Sequence, residues 1–267
     1  MAEVILKRIH LFEFEDFPYF PSWIRRCMTR YIIVVHEIIG SAEVLTEILE
    51  KILKKTGKTN IVDLCSGSGG PMVSVFRKLK EKESYKNLRL TLSDLYPDME
   101  AAKKINIDNN DDIKYTDYSI DAANVELKGL RTMICSMHHM KQDAAYKILK
   151  DAHDKNEPIC IFEISDNSFP TYLWWTAIFP AFFMTLIFTP KVQPLKWYHL
   201  FFTYVIPLIP LFIAWDGAVS NARTYTKEDL ETLISNLNSE NYSWNIQSIK
   251  AKGPGNMICL TGTPLSL

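Results

Sequence analysis

Short apolar runs alternate with one-faced amphipathic stretches through most of the chain. The runs predict strands at positions 61–62, 88–94, 113–121, 130–140 and 158–165. The amphipathic stretches between them predict helices. Strands and helices that alternate in this way are typical of an α/β fold built on a parallel sheet.

Two further strands are predicted near the end of the chain, at positions 242–251 and 256–263. A glycine-containing turn separates them, so we expect a hairpin at the edge of the sheet. At the other end of the chain, residues 1–40 are rich in aromatic residues. Pro18 and Pro21 exclude a continuous helix there before about Ser22.

Two long stretches without a charged residue lie between the fifth and sixth predicted strands. They cover positions 167–190 and 197–215, and Lys191 and Lys196 stand between them. Each stretch approaches the roughly 20 residues that cross a bilayer, and aromatic residues stand near the ends. Three interpretations stay open: a hairpin that spans or dips into a membrane, a hydrophobic substrate channel or lid, and a buried dimer interface.

Charge and cysteine content narrow the possible functions. The 267 residues carry a net charge of −1, which gives no positive surface of the kind that binds nucleic acid. The five cysteines are widely spaced and odd in number, and the N-terminus lacks the apolar core of a signal peptide. We therefore expect reduced cysteines, a catalytic domain that faces the cytoplasm, and no nucleic-acid partner.

A glycine-rich turn follows the first predicted strand, directly after Asp63. Gly67, Gly69 and Gly70 allow the backbone to turn sharply and to come close to a ligand. A phosphate-binding P-loop would need Lys-Ser or Lys-Thr after the last glycine, and a dinucleotide turn would need glycine where this chain has Met72. The turn is therefore typical of a cofactor site but fits neither kind of phosphate-binding loop.

The spacing of Asp63, Gly67 and Gly69 resembles motif I of the class I S-adenosylmethionine (SAM) methyltransferases. That family usually has glycine where this chain has Cys65, although methyltransferases of quinone biosynthesis also have cysteine there. The resemblance implies SAM as the cofactor and a Rossmann-like, seven-stranded sheet, mostly parallel with an antiparallel last strand. The apolar helical hairpin would be an insertion in that fold.

The same resemblance implies where the nucleoside part of the cofactor binds. Asp94, at the end of the second strand, would accept the ribose hydroxyls, and Leu95 would lie against the adenine. After the third strand, Asp121 and Ala122 would contact the adenine amino group and ring. Asp117 is an alternative to Asp121 by spacing alone.

The fourth predicted strand ends in Ser136 and the pair His138-His139. The expected strand order puts this end beside the glycine turn. We therefore expect Ser136 to contact the cofactor, and His139 in preference to His138 to face the substrate as a base or orienting group. Glu163, within the apolar fifth strand, needs a partner or a catalytic role.

A metal site is not expected at the histidine pair. Adjacent histidines point apart on an extended backbone, and no third ligand is spaced to join them.

These expectations divide the chain into an N-terminal helical lid or strap (1–57), a cofactor-binding core (58–166), a membrane-associated apolar insertion (167–222) and the C-terminal part of the core (223–267). The resemblance implies methyl transfer to a small hydrophobic or lipid-like acceptor at a membrane. Two alternatives stay open. In the first, the chain is a non-catalytic membrane-associated protein with this fold. In the second, it is a soluble small-molecule methyltransferase whose insertion is a lid or the interface of a homodimer.

Overall fold

A seven-stranded sheet lies at the centre of the computed structural model, which describes residues 7–108, 112–253 and 255–265. In chain order the strands are β1 (Asn60–Asp63), β2 (Arg89–Leu92), β3 (Ile113–Tyr115), β4 (Leu130–Ile134), β5 (Ile159–Glu163), β6 (Tyr242–Lys250) and β7 (Asn256–Pro264).

The spatial order of the strands is β3-β2-β1-β4-β5-β7-β6. Strands β1 to β5 are parallel, and β7 is antiparallel to both β5 and β6. The predicted sheet, mostly parallel with an antiparallel last strand, is therefore confirmed, and so is the hairpin at its edge. In this order the ends of β2, β1 and β4 lie side by side, where parallel sheets bind ligands.

Helices cover both faces of the sheet. They are α1 (Ser22–Ile39), α2 (Ser41–Thr56), α3 (Met72–Lys80), α4 (Met99–Asp108), α5 (Gln142–Asp154), α6 (Ile178–Phe188), α7 (Trp197–Leu200), α8 (Leu208–Arg223) and α9 (Lys227–Ile234). Leu49 of α2 and Phe76 of α3 are buried on one face, and Ile148 of α5 and Leu233 of α9 on the other. Each such side chain contributes about 1.5–3 kcal/mol through burial.

Two predicted strands are shorter than expected. Strand β3 ends at Tyr115 and not at position 121. Its pairing with β2 stops at Leu92, and beyond it the backbone makes isolated hydrogen bonds, from the Thr116 N–H to the Leu92 carbonyl and from the Ile120 N–H to the Asp94 carbonyl. Strand β4 ends at Ile134, because Cys135 has a φ of +52°, a left-handed conformation that an extended strand cannot contain. The two histidines consequently lie in the 3-10 turn Met137–His139 and not in a strand.

The apolar insertion folds as a helical hairpin that packs on the N-terminal segment. Helices α6 and α8 contact each other, and α8 buries Ile209 and Ile213 against Phe20, Ile24 and Met28. These residues form an aromatic-rich cluster separate from the two layers on the sheet. Parts of the chain that are about 190 positions apart are thus joined by an apolar core of their own.

The two arms of the insertion differ in shape. By length and apolar composition, the segment Tyr172–Lys191 is able to cross a membrane, and only 11% of it is buried within the fold. The second arm is bent by 79° where Trp197–Val205 meets Leu208–Arg223. Pro207 lies at this bend, where its ring cannot continue a helix.

Candidate functional site

The turn between β1 and α3 depends on glycine backbone conformations. Gly67 has a φ of +52° and Gly69 a φ of +104°. Within the described residues, a Cβ on Gly67 would meet no atom within 4 Å, whereas a Cβ on Gly69 would lie 3.0 Å from Cδ1 of Ile105. Gly67 therefore faces open space that a ligand can enter, and Gly69 lets α4 pack closely against the turn.

Cys65 stands where the resemblance leads one to expect glycine, and its backbone adopts the conformation that glycine would favour. Its φ is +57°, which costs a residue with a Cβ about 1–2 kcal/mol. Burial, and then the carboxylates of Asp94, Asp63 and Asp121, raise the pKa of its thiol to about 12. The thiol is therefore neutral, and the three acids predicted as cofactor ligands lie around it.

Asp63, at the end of β1, is buried and joins the turn to β4. Ser66 Oγ donates to its Oδ2 and Thr132 Oγ1 to its Oδ1, each over 2.6 Å. Burial raises the pKa of Asp63 to about 7, although these two hydrogen bonds act in the opposite direction. The two hydroxyl donors fix the orientation of this carboxylate at the base of the turn.

Asp94 lies just beyond the end of β2 and is half-buried. Its Oδ2 accepts from the Gly67 N–H and its Oδ1 from the Tyr96 N–H, both over 2.9 Å. The Tyr115 hydroxyl donates to the Gly67 carbonyl over 2.6 Å. A carboxylate with these two partners still has lone pairs for two further donors, such as the hydroxyls of a ribose.

The other residues expected at the nucleoside differ in exposure. Leu95 and Asp121 are exposed, whereas Ala122 is buried. Asp121 Oδ1 accepts from the Ala123 N–H over 2.8 Å, which shapes the turn after β3. Ser136 is 7% exposed, and within the described part of the chain its Oγ has no hydrogen-bond partner. A buried hydroxyl without a partner is uncommon and suits a polar ligand group.

The 3-10 turn after β4 brings both histidines against carboxylates. His138 Nδ1 lies 2.8 Å from Glu163 Oε2, and the His138 N–H donates to Glu163 Oε1 over 3.1 Å. His139 Nδ1 lies 2.9 Å from Asp16 Oδ1. His138 is therefore the partner that was expected for the buried Glu163. The partner of His139 is Asp16, which belongs to the N-terminal segment.

Glu13, which no motif in the sequence indicates, lies between the two imidazoles. Its Oε1 is 3.8 Å from His138 Nε2, and its Oε2 is 3.9 Å from His139 Nε2. The imidazole rings lie 4.2 Å apart between centroids. The expectation that the histidines point apart is therefore wrong: the tight turn places the rings side by side, and a third potential ligand comes from a distant part of the chain.

Helix α8 holds the N-terminal segment in this position through one polar face. Asp216 accepts from the backbone N–H groups of Phe14 and Glu15, and Ser220 Oγ donates to Glu13 Oε2 over 2.9 Å. Arg223, one turn further along, is also buried. In the sequence this polar face is visible as Asp216, Ser220 and Arg223, which stand at positions i, i+4 and i+7 at the end of an apolar run.

Arg223 connects the acids of the N-terminal segment with the turn that carries the two histidines. Its Nη1 lies 3.0 Å from Glu13 Oε1 and 2.6 Å from Asp16 Oδ2, and its other nitrogens donate to the carbonyls of His138 and His139. We call these residues the histidine cluster: Glu13, Asp16, His138, His139, Glu163 and Arg223.

The pKa values of Glu13 and Asp16, the two N-terminal acids of the histidine cluster, are shifted in opposite directions. Burial raises the pKa of Glu13 to about 7, although His139 and Arg223 act to lower it. Burial also acts to raise the pKa of Asp16. The hydrogen bonds of Asp16 with His139 and Arg223 outweigh it and hold that pKa below its usual range. Asp16 is therefore the permanent anion of the pair.

Comparison with known proteins identifies the fold. No protein-family model matches the sequence, and no curated protein sequence matches it. The plantazolicin methyltransferase BpumL, solved in complex with SAH, is similar with a TM-score of 0.57 and 12% identity over 94% of this chain and 92% of that one. A SAM dependent methyltransferase from Aquifex aeolicus has a TM-score of 0.49 and 10% identity, covering 91% and 97%. With the strand order, the first similarity shows that this chain has the class I SAM methyltransferase fold.

Proposed function

We propose that this protein is a SAM-dependent methyltransferase that acts on a small apolar acceptor with an ionisable O–H or N–H group. One observation carries the proposal: the open glycine turn, the half-buried Asp94 and the unpartnered Ser136 hydroxyl lie at the ends of the adjacent strands β1, β2 and β4. The similar fold of BpumL, which was solved with SAH, supports it.

The residues of this edge suit the parts of that cofactor. The ribose hydroxyls would donate to Asp94, and Leu95 and Ala122 would provide apolar surface for the adenine. The Gly67 backbone and Ser136 would face the amino-acid part, and the buried Asp63 would favour an ammonium group close by. When bound, SAM supplies a methyl group on a positively charged sulfur.

The acceptor side of the proposal uses the two histidines. Asp16 accepts from Nδ1–H of His139, which leaves the lone pair of the ring on Nε2. His139 is the more exposed of the two histidines, so its Nε2 would take the proton of the acceptor while the acceptor atom attacks the methyl group. His138, held by Glu163 in the same way, would orient the acceptor. The larger contribution of the protein is to align the reactants.

We propose further that the apolar insertion embeds in one face of a membrane, from which it would collect an apolar acceptor. Phe179, Phe183 and Ile187 of α6 are 62%, 59% and 65% exposed, and their spacing of four puts them on one helix face. An exposed apolar surface of this kind favours a lipid or protein contact. The bend in the second arm and the buried end of α8 favour embedding over a full crossing.

Calorimetry with S-adenosylhomocysteine (SAH) tests the cofactor part of the proposal. We expect one SAH per chain, and incubation of a lipid extract with SAM carrying a labelled methyl group should give a labelled product detectable by mass spectrometry. Binding without any product in lipid or small-molecule extracts would favour the non-catalytic alternative. Absence of SAH binding would refute the proposal.

Flotation with liposomes tests the membrane part. The triple variant Phe179→Gln, Phe183→Gln and Ile187→Gln should lose binding to vesicles and keep its affinity for SAH. Ile107→Gln on α4, where the side chain is 71% exposed, is the matched control and should float like the unchanged chain. If the triple variant floats equally well, the membrane proposal fails. If it changes from dimer to monomer in ultracentrifugation, α6 is a dimer interface.

A further inference from the structure

We propose that Glu13, His138 and His139 bind a divalent transition-metal ion. One carboxylate oxygen and two imidazole nitrogens, one from each residue, lie within 4.8 Å of one another. Distances of 3.8 and 3.9 Å between the Nε2 atoms and the Glu13 oxygens leave space for an ion between the ligands. Two histidines and one carboxylate are a common ligand set for zinc and for non-haem iron.

The surroundings of the two histidines are those of metal ligands. In metal sites a histidine typically donates its other ring N–H to a carboxylate, which fixes the tautomer and makes the ligating nitrogen more basic. Here Nδ1 of His138 is bonded to Glu163 and Nδ1 of His139 to Asp16, at 2.8 and 2.9 Å. Both Nε2 atoms are thereby left as acceptors on the side of Glu13.

Glu13 provides an independent observation. The side chain is fully buried, and in the described residues its Oε1 has no hydrogen bond, although the Arg223 guanidinium lies 3.0 Å away. Buried carboxylates are normally hydrogen-bonded or coordinate a metal. Four carboxylates (Glu13, Glu15, Asp16 and Glu163) lie beside the imidazoles. Among the described residues, Arg223 contacts two of these carboxylates, and Arg8 and Arg25 contact the group through the carbonyls of His138 and Glu15. The carboxylates still outnumber the guanidinium groups, so a bound cation would compensate negative charge.

The role of such an ion rests on the proposed function, whereas its binding does not. An ion held by three protein ligands keeps a position for an oxygen of the acceptor. It would lower the pKa of an acceptor hydroxyl bound to it, so that the oxygen would lose its proton to water and attack the methyl carbon as an anion. The bond between that carbon and the sulfur of SAM would break, with SAH as the leaving group. With the ion bound, the Nε2 atoms are ligands, so this route would replace the proton transfer to His139 that the site without an ion would use.

Metal titration of the full chain tests the proposal. After removal of bound metal with a chelator, Zn²⁺ is titrated by calorimetry, and Co²⁺ by its visible absorption, which reports the coordination geometry. We expect one ion per chain. His138→Gln, His139→Gln and Glu13→Gln should each weaken binding by at least about 100-fold, and Asp16→Asn by about 10- to 100-fold, as for other residues that orient ligands.

His153→Gln is the matched control, because His153 also has an aspartate, Asp154, beside its Nδ1 but lies on α5 outside the histidine cluster. Its variant should bind Zn²⁺ like the unchanged chain. Circular dichroism and urea denaturation, measured on every variant, show whether the fold is intact. Failure of the unchanged chain to bind Zn²⁺ or Co²⁺ stoichiometrically, or binding that survives all four substitutions, overturns the metal site. SAH binding without metal refutes only this inference, and metal binding without SAH refutes only the proposed function.

Discussion

The glycine turn and the histidine cluster lie at the same edge of the sheet but are built in different ways. In the turn, Ser66 bonds to Asp63 three positions away, and Gly67 bonds to Asp94 at a separation of 27 positions. In the histidine cluster, His139 meets Asp16 across 123 positions and Arg223 meets Asp16 across 207. Hydrogen bonds from Tyr115 of β3 and Thr132 of β4, across 48 and 69 positions, complete the turn. The histidine cluster, in contrast, exists only when three distant segments are packed together.

This contrast gives the two regions different sensitivities. The histidine cluster depends on the aromatic-rich packing between α1 and α8, so a disturbance there should remove it and leave the glycine turn in place. Variants of the turn should change cofactor binding without moving the histidines. Substitutions in the two regions should therefore have separable effects on stability and on cofactor binding.

Replacement of Arg223 by Ala should have the largest effect. It leaves the buried Glu13 carboxylate without its positive partner, and breaking a buried ion pair typically lowers the free energy of unfolding by about 3–5 kcal/mol. Urea denaturation measures this change. Arg223→Lys keeps the charge and should lose less, and Lys150→Ala, which breaks the exposed contact with Asp154, should change nothing measurable. A stable Arg223→Ala variant that no longer binds SAH would contradict the separation.

Asp94→Ala should come next, through binding and not through stability. A hydrogen bond to a charged group contributes about 1.5–3 kcal/mol, so loss of the ribose contacts should raise the Kd for SAH by about 10- to 100-fold. Calorimetry gives this value directly. Asp117→Ala is the control, since Asp117 is exposed, and it should leave the Kd unchanged. An equal effect of both substitutions would refute the role assigned to Asp94.

The two glycines of the turn should separate stability from binding. Gly69→Ala has an unfavourable φ and brings a methyl group 3.0 Å from Ile105, so it should lower the free energy of unfolding by about 1–3 kcal/mol. Gly67→Ala has only the left-handed φ to accommodate, about 1–2 kcal/mol, but its methyl group enters the space assigned to the cofactor. We therefore expect the larger loss of SAH affinity for Gly67→Ala. The reverse order would show that this space is not the binding site.

The remaining prediction concerns the dependence of stability on pH and follows from Asp63. Burial raises the pKa of Asp63 from 3.8 to about 7, so between these values the folded chain binds a proton that the unfolded chain has released. The contribution of Asp63 to the free energy of unfolding therefore falls as pH rises through this range, by at most about 1.4 kcal/mol per pH unit. Asp63→Asn removes this contribution. Unfolding curves of both proteins from pH 4.5 to 8 should diverge, and parallel curves would disprove the shift.

The sequence by itself determined the order of strands and helices, the glycine turn and the acids at the strand ends. These features depend on residue type and on spacing within about 30 positions, which hydrophobic periodicity and backbone preferences express directly. Cys65 is an example of such a local backbone preference. Its left-handed backbone is the conformation of the glycine that the motif leads one to expect at this position.

Only the tertiary structure decided how the histidines are used. The expectation that they point apart assumed that β4 continues to Met140, but the left-handed Cys135 ends that strand and a 3-10 turn brings the rings together. Glu13, Asp16 and Arg223 join them because α8 packs against the N-terminal segment and presents Asp216, Ser220 and Arg223 on one face. No local pattern contains this information, since contacts across more than 100 positions depend on how the apolar surfaces of distant helices fit together.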